Sequence, residues 1–126
     1  MLKENASRIK KHINNNKKFY TGVSALATAA ALDIGLTSTN INKYGTGIEG
    51  NPFLRDAIEY WGINIGLTGT KTLSTFAIAG IAKEYYNRYE EIKGNLCLYA
   101  GASTWSIAAA SHLSIIINPS SVTLFN

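Results

Sequence analysis

Three long stretches of the chain are almost free of charge. Between Lys18 and Lys43 the single charged residue is Asp33, and between Glu59 and Lys83 it is Lys71. Beyond Lys93 no Asp, Glu, Lys or Arg follows through Asn126. A soluble amphipathic helix places charge on its wet face every turn or so, because that face meets water. These stretches do not, and each is long enough to cross about 30 Å of hydrocarbon, which takes about 20 helical residues. The pattern predicts an all-α fold, a bundle of three transmembrane helices with spans near 19–40, 61–82 and 96–118. Residues 1–18 then form a basic segment, and 119–126 a short tail.

Composition changes this picture little. Hydrophobic residues are 46% of the 126 and mean hydropathy is +0.01, values that also suit a compact soluble bundle, the competing fold. The spans are rich in Ala, Gly, Ser and Thr; hydroxyls can bond back along their own helix, and small residues let membrane helices approach closely. The length suits a single domain. The lone Cys97 cannot form an internal disulfide and reads as a buried, inert thiol.

Charge sets the orientation. Lys3, Arg8, Lys10, Lys11, Lys17 and Lys18 precede the first span, and Lys83, Arg88 and Lys93 lie in the second connection. Those nine share one side of a three-span protein, against Lys43 and Arg55 on the other. The positive-inside rule puts the N-terminus in the cytoplasm and the C-terminus outside, as a multi-pass protein of the inner (plasma) membrane. A cleaved signal peptide ending near Ala27-Thr28-Ala29 is the competing reading, but the uncharged stretch continues for a full membrane thickness. Ile9 and Ile13 stand at helical spacing beside Lys10 and Lys17, which suggests a short helix lying on anionic headgroups. With no aromatic residue among its charges before Phe19, the segment gives no reason to expect nucleic acid. Tyr60, Trp61, Tyr85, Tyr86 and Tyr89 fall near span ends, where an apolar ring with a polar tip is favoured.

Ionisable groups inside a span need a partner or a wet cavity. Asp33, Thr37 and Asn40 share one face of the first helix; Asn64, Thr68, Lys71 and Thr75 follow one stripe of the second; Gly101, Thr104, Trp105, Ala108 and His112 lie on one side of the third. Counted from the outer span ends, Asp33 lies about 10 Å deep, His112 about 9 Å and Lys71 about 15 Å, so a common cluster in the outer half is expected. An Asp33–Lys71 ion pair that fixes helix register is the structural reading. The catalytic candidates are Asp33, Glu49 and His112, as a proton-transfer or metal-binding group with Lys71 as electrostatic partner. Between the first two spans runs Gly45-Thr46-Gly47-Ile48-Glu49-Gly50-Asn51-Pro52, which reads as a turn with a helix cap. A re-entrant path would carry Glu49 and Asn51 toward the same polar level.

Asp33 late in a first span, Thr37 one turn on, Glu49-Gly50-Asn51-Pro52, then Lys71 in the second span together resemble a family of small prokaryotic integral-membrane proteins of unknown function. The resemblance covers roughly residues 25–80. It implies a shared polar site built from Asp33, Glu49, Asn51 and Lys71, and it attaches no activity.

The leading expectation is an accessory or assembly subunit of a membrane complex, partnered by the bilayer and by other membrane helices; Gly62, Gly66 and Gly69 offer a small-residue face for one. The alternatives are an intramembrane enzyme or small-molecule binder using Asp33, Glu49 and His112, and an oligomeric pore or small transporter. No cofactor is predicted, although a divalent metal fits the second reading. No Gly-x-Ser-x-Gly, His-Glu-x-x-His or phosphate-cradling loop points to a reaction class. The polar cluster expected from the sequence is therefore Asp33, Thr37, Glu49, Asn51, Lys71 and His112.

Overall fold

A computed structural model describes residues 1–124, so the last two residues of the predicted tail lie outside the described residues. The described chain contains only helices and their connections. Helix α1 spans Leu2–Tyr44, α2 Pro52–Gly62, α3 Thr70–Asn87 and α4 Glu91–Ile117. A π-helical segment, Ile63–Gly69, feeds into α3, and single 3₁₀ turns at Thr46–Ile48 and Pro119–Ser121 follow α1 and α4. Two helices, Leu2–Tyr44 and Glu91–Ile117, are long and apolar enough to cross a membrane.

Named contacts fix the packing. Along α1 and α4, Lys18 meets Glu91, Gly22 meets Leu98, Leu26 meets Gly101 and Asn40 meets His112, so these two helices run parallel. Helix α3 returns between their connections. Phe19 stacks edge-on to Tyr86 and Asp33 meets Lys71, which makes α3 antiparallel to α1; Gly94 against Tyr86 and Gly101 against Ile78 make it antiparallel to α4. Small residues permit this closeness. A methyl at Gly22 would come within 2.6 Å of Leu98 Cδ1, and one at Gly94 within 2.5 Å of the Tyr86 ring.

Two apolar clusters cap the ends of the bundle. At the basic end, Phe19, Leu26, Ala29, Ala82, Tyr86, Leu98 and Ala102 bury one another. At the opposite, loop end, Ile41, Ile48, Leu54, Ile58 and Leu67 do so. The polar residues lie between them. Burial against neighbours raises the Tyr86 phenol above its ordinary value, with the Glu91 carboxylate and Tyr99 adding to the effect, and its hydroxyl donates to Asn95 Oδ1. Nearby, Lys93 is held by a hydrogen bond to Glu90, which raises its ammonium pKa.

Three expectations change. The basic segment is not a separate helix lying across headgroups: α1 continues through it without a break, carrying it along the axis of the first span. Lys18 pairs with Glu91 at 2.5 Å, and Lys11 stands 5.2 Å from the Tyr89 ring centroid, so two contacts hold it upright. Tyr89 takes φ 60° in the α3–α4 turn, a conformation glycine adopts more cheaply.

The second predicted span is broken. Gly62 adopts φ 79°, ends α2 and folds the chain back, so α2 and the π segment form a tight helical hairpin. Gly66 makes that hairpin possible, because an added Cβ there would sit 2.3 Å from the Ala57 carbonyl oxygen. Gly66 is therefore used inside the fold and Gly62 is taken up by the turn, while the space beside both Gly62 and Gly69 is open.

The π segment also rotates the stripe predicted for this helix. Lys71 is buried and Thr75 half-buried, but Asn64 and Thr68 face outward. A wider turn moves every later residue round the axis relative to an α-helical count.

Candidate functional site

The polar core has two tiers, built on successive turns of α1. In the lower tier, Lys71 Nζ donates to Asp33 Oδ2, and Thr37 Oγ1 donates to Asp33 Oδ1 at 3.1 Å. Both carboxylate oxygens thus have a donor. Lys71 Nζ also stands 5.3 Å from the Trp105 ring centroid on α4, close enough for a cation–π attraction. Asp33 and Thr37 are fully shielded and Lys71 is 2% exposed. A lysine on α3, an aspartate on α1 and an indole on α4 join all three long helices at one level.

The upper tier centres on His112. Asn40 Nδ2 donates to the His112 backbone carbonyl at 2.9 Å and lies 3.2 Å from His112 Nδ1. With that amide donating to Nδ1, a neutral ring carries its proton on Nε2. Nε2 faces Glu49 Oε2 at 3.8 Å, an electrostatic contact longer than a hydrogen bond. Glu49 Oε1 accepts from the Asn51 backbone N–H at 2.9 Å. All three side chains are at least nine-tenths buried. Asn40 Oδ1 in this tier and Trp105 Nε1 in the lower one are buried without a hydrogen-bond partner among the described residues.

The loop reaches this level through helix-capping chemistry. Asn51 Oδ1 accepts from the backbone N–H groups of Phe53 and Leu54, Pro52 opens α2, and Thr46 Oγ1 donates to Glu59 Oε1 at 2.6 Å. The Glu49-x-Asn51-Pro52 sequence is thus a turn that starts α2 and aims the Glu49 side chain inward. Asn51 itself is exposed, and its side chain is engaged as the cap.

The expected single cluster is therefore divided. Asp33 and Asn40 are seven residues apart on one helix, about 10 Å along its axis. The matching depths of Asp33 and His112 assumed that α1 ends at Asn40, but it runs on to Tyr44, whereas α4 ends at Ile117. Asp33 consequently lies two turns deeper than His112.

The upper tier opens outward. A cleft of about 410 Å³ is lined by Glu49 and His112 together with Ser111, Ser114, Ser121 and Thr123. Asp33, Thr37 and Lys71 are not among its described lining residues. Among the described residues no three His, Cys, Asp or Glu side chains converge, so any metal held here would have Glu49 and His112 as its only acidic or imidazole ligands. Two residues central to the geometry, Asn40 and Trp105, are missing from the sequence-derived cluster. The sequence places Asn40 on the face of Asp33 and Trp105 on the side of His112, which was the available signal.

No family model matches the chain, and neither a curated protein nor a solved structure matches it.

Proposed function

We propose that this chain is a three-span protein of the inner (plasma) membrane, N-terminus in and C-terminus out, that serves as an accessory or assembly subunit of a larger membrane complex. The observation that carries the reading is the closed Asp33–Lys71–Thr37 group. Its charges compensate each other internally and meet no opening, as befits a device that sets helix register and not one that handles a substrate. Leu32, Leu73, Phe76, Ile81, Leu96, Ile107 and Ile117 are exposed around the helices, an apolar belt that suits lipid or neighbouring helices. On α2, Leu54 and Ile58 pack inward while Phe53, Tyr60 and Trp61 stay exposed, which suits a helix seated at the outer interface.

The test is native-gel analysis of tagged protein solubilised gently from membranes at low expression. Migration in an assembly larger than the chain, with a second polypeptide at constant ratio, is expected. Migration alone in its detergent micelle would overturn the reading.

A second reading is favoured by the Glu49–His112 cleft, which suits a small polar molecule or a divalent cation from the outer side. Its test is thermal stabilisation by candidate ligands, lost in His112→Ala and Glu49→Gln proteins that remain folded.

A further inference from the structure

The basic stretch of α1 carries a second, unused packing face. Leu2, Ala6, Ile9, Ile13, Asn16 and Tyr20 follow one another at alternating spacings of four and three, the a/d rhythm of a coiled-coil seam. All six are exposed. The residues that α1 turns toward its own bundle here, Asn15, Phe19 and Gly22, lie on a different side of the helix. Apart from Tyr20, whose ring stands edge-on to Phe19, and Asn16, whose amide meets His12, the seam is left over after the fold is complete, and it ends where the apolar span begins.

The flanks of the seam differ. The row that follows each of Leu2, Ile9 and Asn16 is Lys3, Lys10 and Lys17. The row that precedes Ala6, Ile13 and Tyr20 is Asn5, His12 and Phe19, which offers no acid. In a parallel pair of copies the lysines would find no counter-charge across the seam, and in an antiparallel pair the lysine rows would face each other. The anionic bilayer surface is also a poor fit. Laying this face on lipid requires α1 to bend sharply near Asn15 and to release Lys18 from Glu91 and Lys11 from Tyr89.

We propose that the cytoplasmic extension of α1 docks a partner helix with an apolar a/d seam and an acidic flank, forming a short two-stranded coiled coil against Leu2–Tyr20, with Asn16 setting the register. The inference rests on the accessory-subunit reading and gives its partner a chemistry. The lysine row selects the acidic flank, and the polar Asn16 in an otherwise mostly apolar seam favours one alignment over a heptad-shifted one.

The experiment uses the full chain, with Cys97→Ser, in neutral and anionic lipid nanodiscs. The probe is a fluorescent three-heptad peptide with Leu and Ile at a and d and Glu on both flanks; its twin carries Lys in place of Glu. Saturable binding of the acidic peptide is expected, with at least tenfold weaker binding of the basic twin. Ile9→Ser with Ile13→Ser should weaken the acidic peptide at least tenfold. Lys10→Glu with Lys17→Glu should reverse the preference toward the basic twin. These positions are exposed, so the variants keep the fold, which the thermal transition verifies. Failure of either peptide to bind, or equal binding of both, overturns the proposal. So does a spin label at Ile9→Cys reporting lipid depth in anionic nanodiscs, or rapid disulfide formation between two copies at Ile13→Cys. Should the chain migrate within a larger complex while neither peptide binds, the seam fails and the accessory reading stands. If the chain migrates alone, that reading fails whatever the peptides do.

Discussion

Lys71 and Asp33 are thirty-eight residues apart in sequence and share a direct hydrogen bond at the centre of the bundle, out of reach of solvent. Removing one partner of such a pair leaves an uncompensated buried charge, at a cost of about 3–5 kcal/mol, whereas neutralising both removes the problem. Asp33→Asn alone and Lys71→Met alone should each sharply lower the folded yield and thermal midpoint in detergent. The double substitution should recover most of the loss. If the single variants unfold like wild type, or the double is as poor as the worse single, the pair does not hold the helices together.

Gly66 and Gly69 are three residues apart and behave differently because of what surrounds them. Gly66 lies against the Ala57 carbonyl and Ile58 Cα, while nothing lies within 4 Å of a Cβ built at Gly69. Gly66→Ala should destabilise by about 1–3 kcal/mol or more, since backbone has to move. Gly69→Ala should be neutral or slightly stabilising, as an alanine in an open helical site. Thermal unfolding of the two variants side by side decides the matter, and equal effects would contradict the hairpin.

Alkaline pH should loosen the basic end. The raised pKa of Tyr86 means that the fold favours its neutral phenol. That contribution is fully present below the unfolded value near 10 and is lost as pH rises through the higher folded value. Tyr86→Phe should cost about 1 kcal/mol at neutral pH through the lost bond to Asn95. The gap between wild type and variant should then narrow from pH 9 to 11 in thermal melts. A gap that stays constant would remove the phenol from the account.

The proposed topology is open to labelling. With Cys97→Ser as background, Ser120→Cys should react with an impermeant maleimide applied to intact cells, and Ser7→Cys should react only after the membrane is opened. The reverse pattern would invert the protein.

How much of this was legible from the sequence varies by element. The two apolar helices and the partnership of Asp33 with Lys71 follow from the scarcity of charge and the expense of leaving one unpaired in lipid. The run 61–82, with Lys71 as its one charge, did not disclose the break at Gly62, because a glycine in a membrane helix more often serves close packing than a reversal. Nor did it show the π segment, which exists because Gly66 packs on α2, a tertiary contact invisible to local periodicity. The joining of Asp33 and His112 in one cluster failed for a related reason. Depths were counted from span ends that hydropathy locates only to within a turn, and the two tiers prove to be two turns apart. Asn51 looked like a site residue, and its backbone-capping role needed the geometry of Phe53 and Leu54 to be seen.

The unbroken course of α1 from Leu2 to Tyr44 gives the molecule a mechanical ratio. If the helix tilts as a rigid rod, the ion pair at Asp33 is its natural fulcrum. The arm toward Leu2 is about 46 Å and the arm toward Asn40 about 10 Å. A displacement at the Leu2 end would reach Asn40, and through it His112, reduced more than fourfold. A swing of 4 Å at the Leu2 end becomes a shift of about 1 Å at Asn40. That is small enough to keep Asn40 bonded to the His112 carbonyl, and large enough to close or widen the 3.8 Å gap between His112 and Glu49.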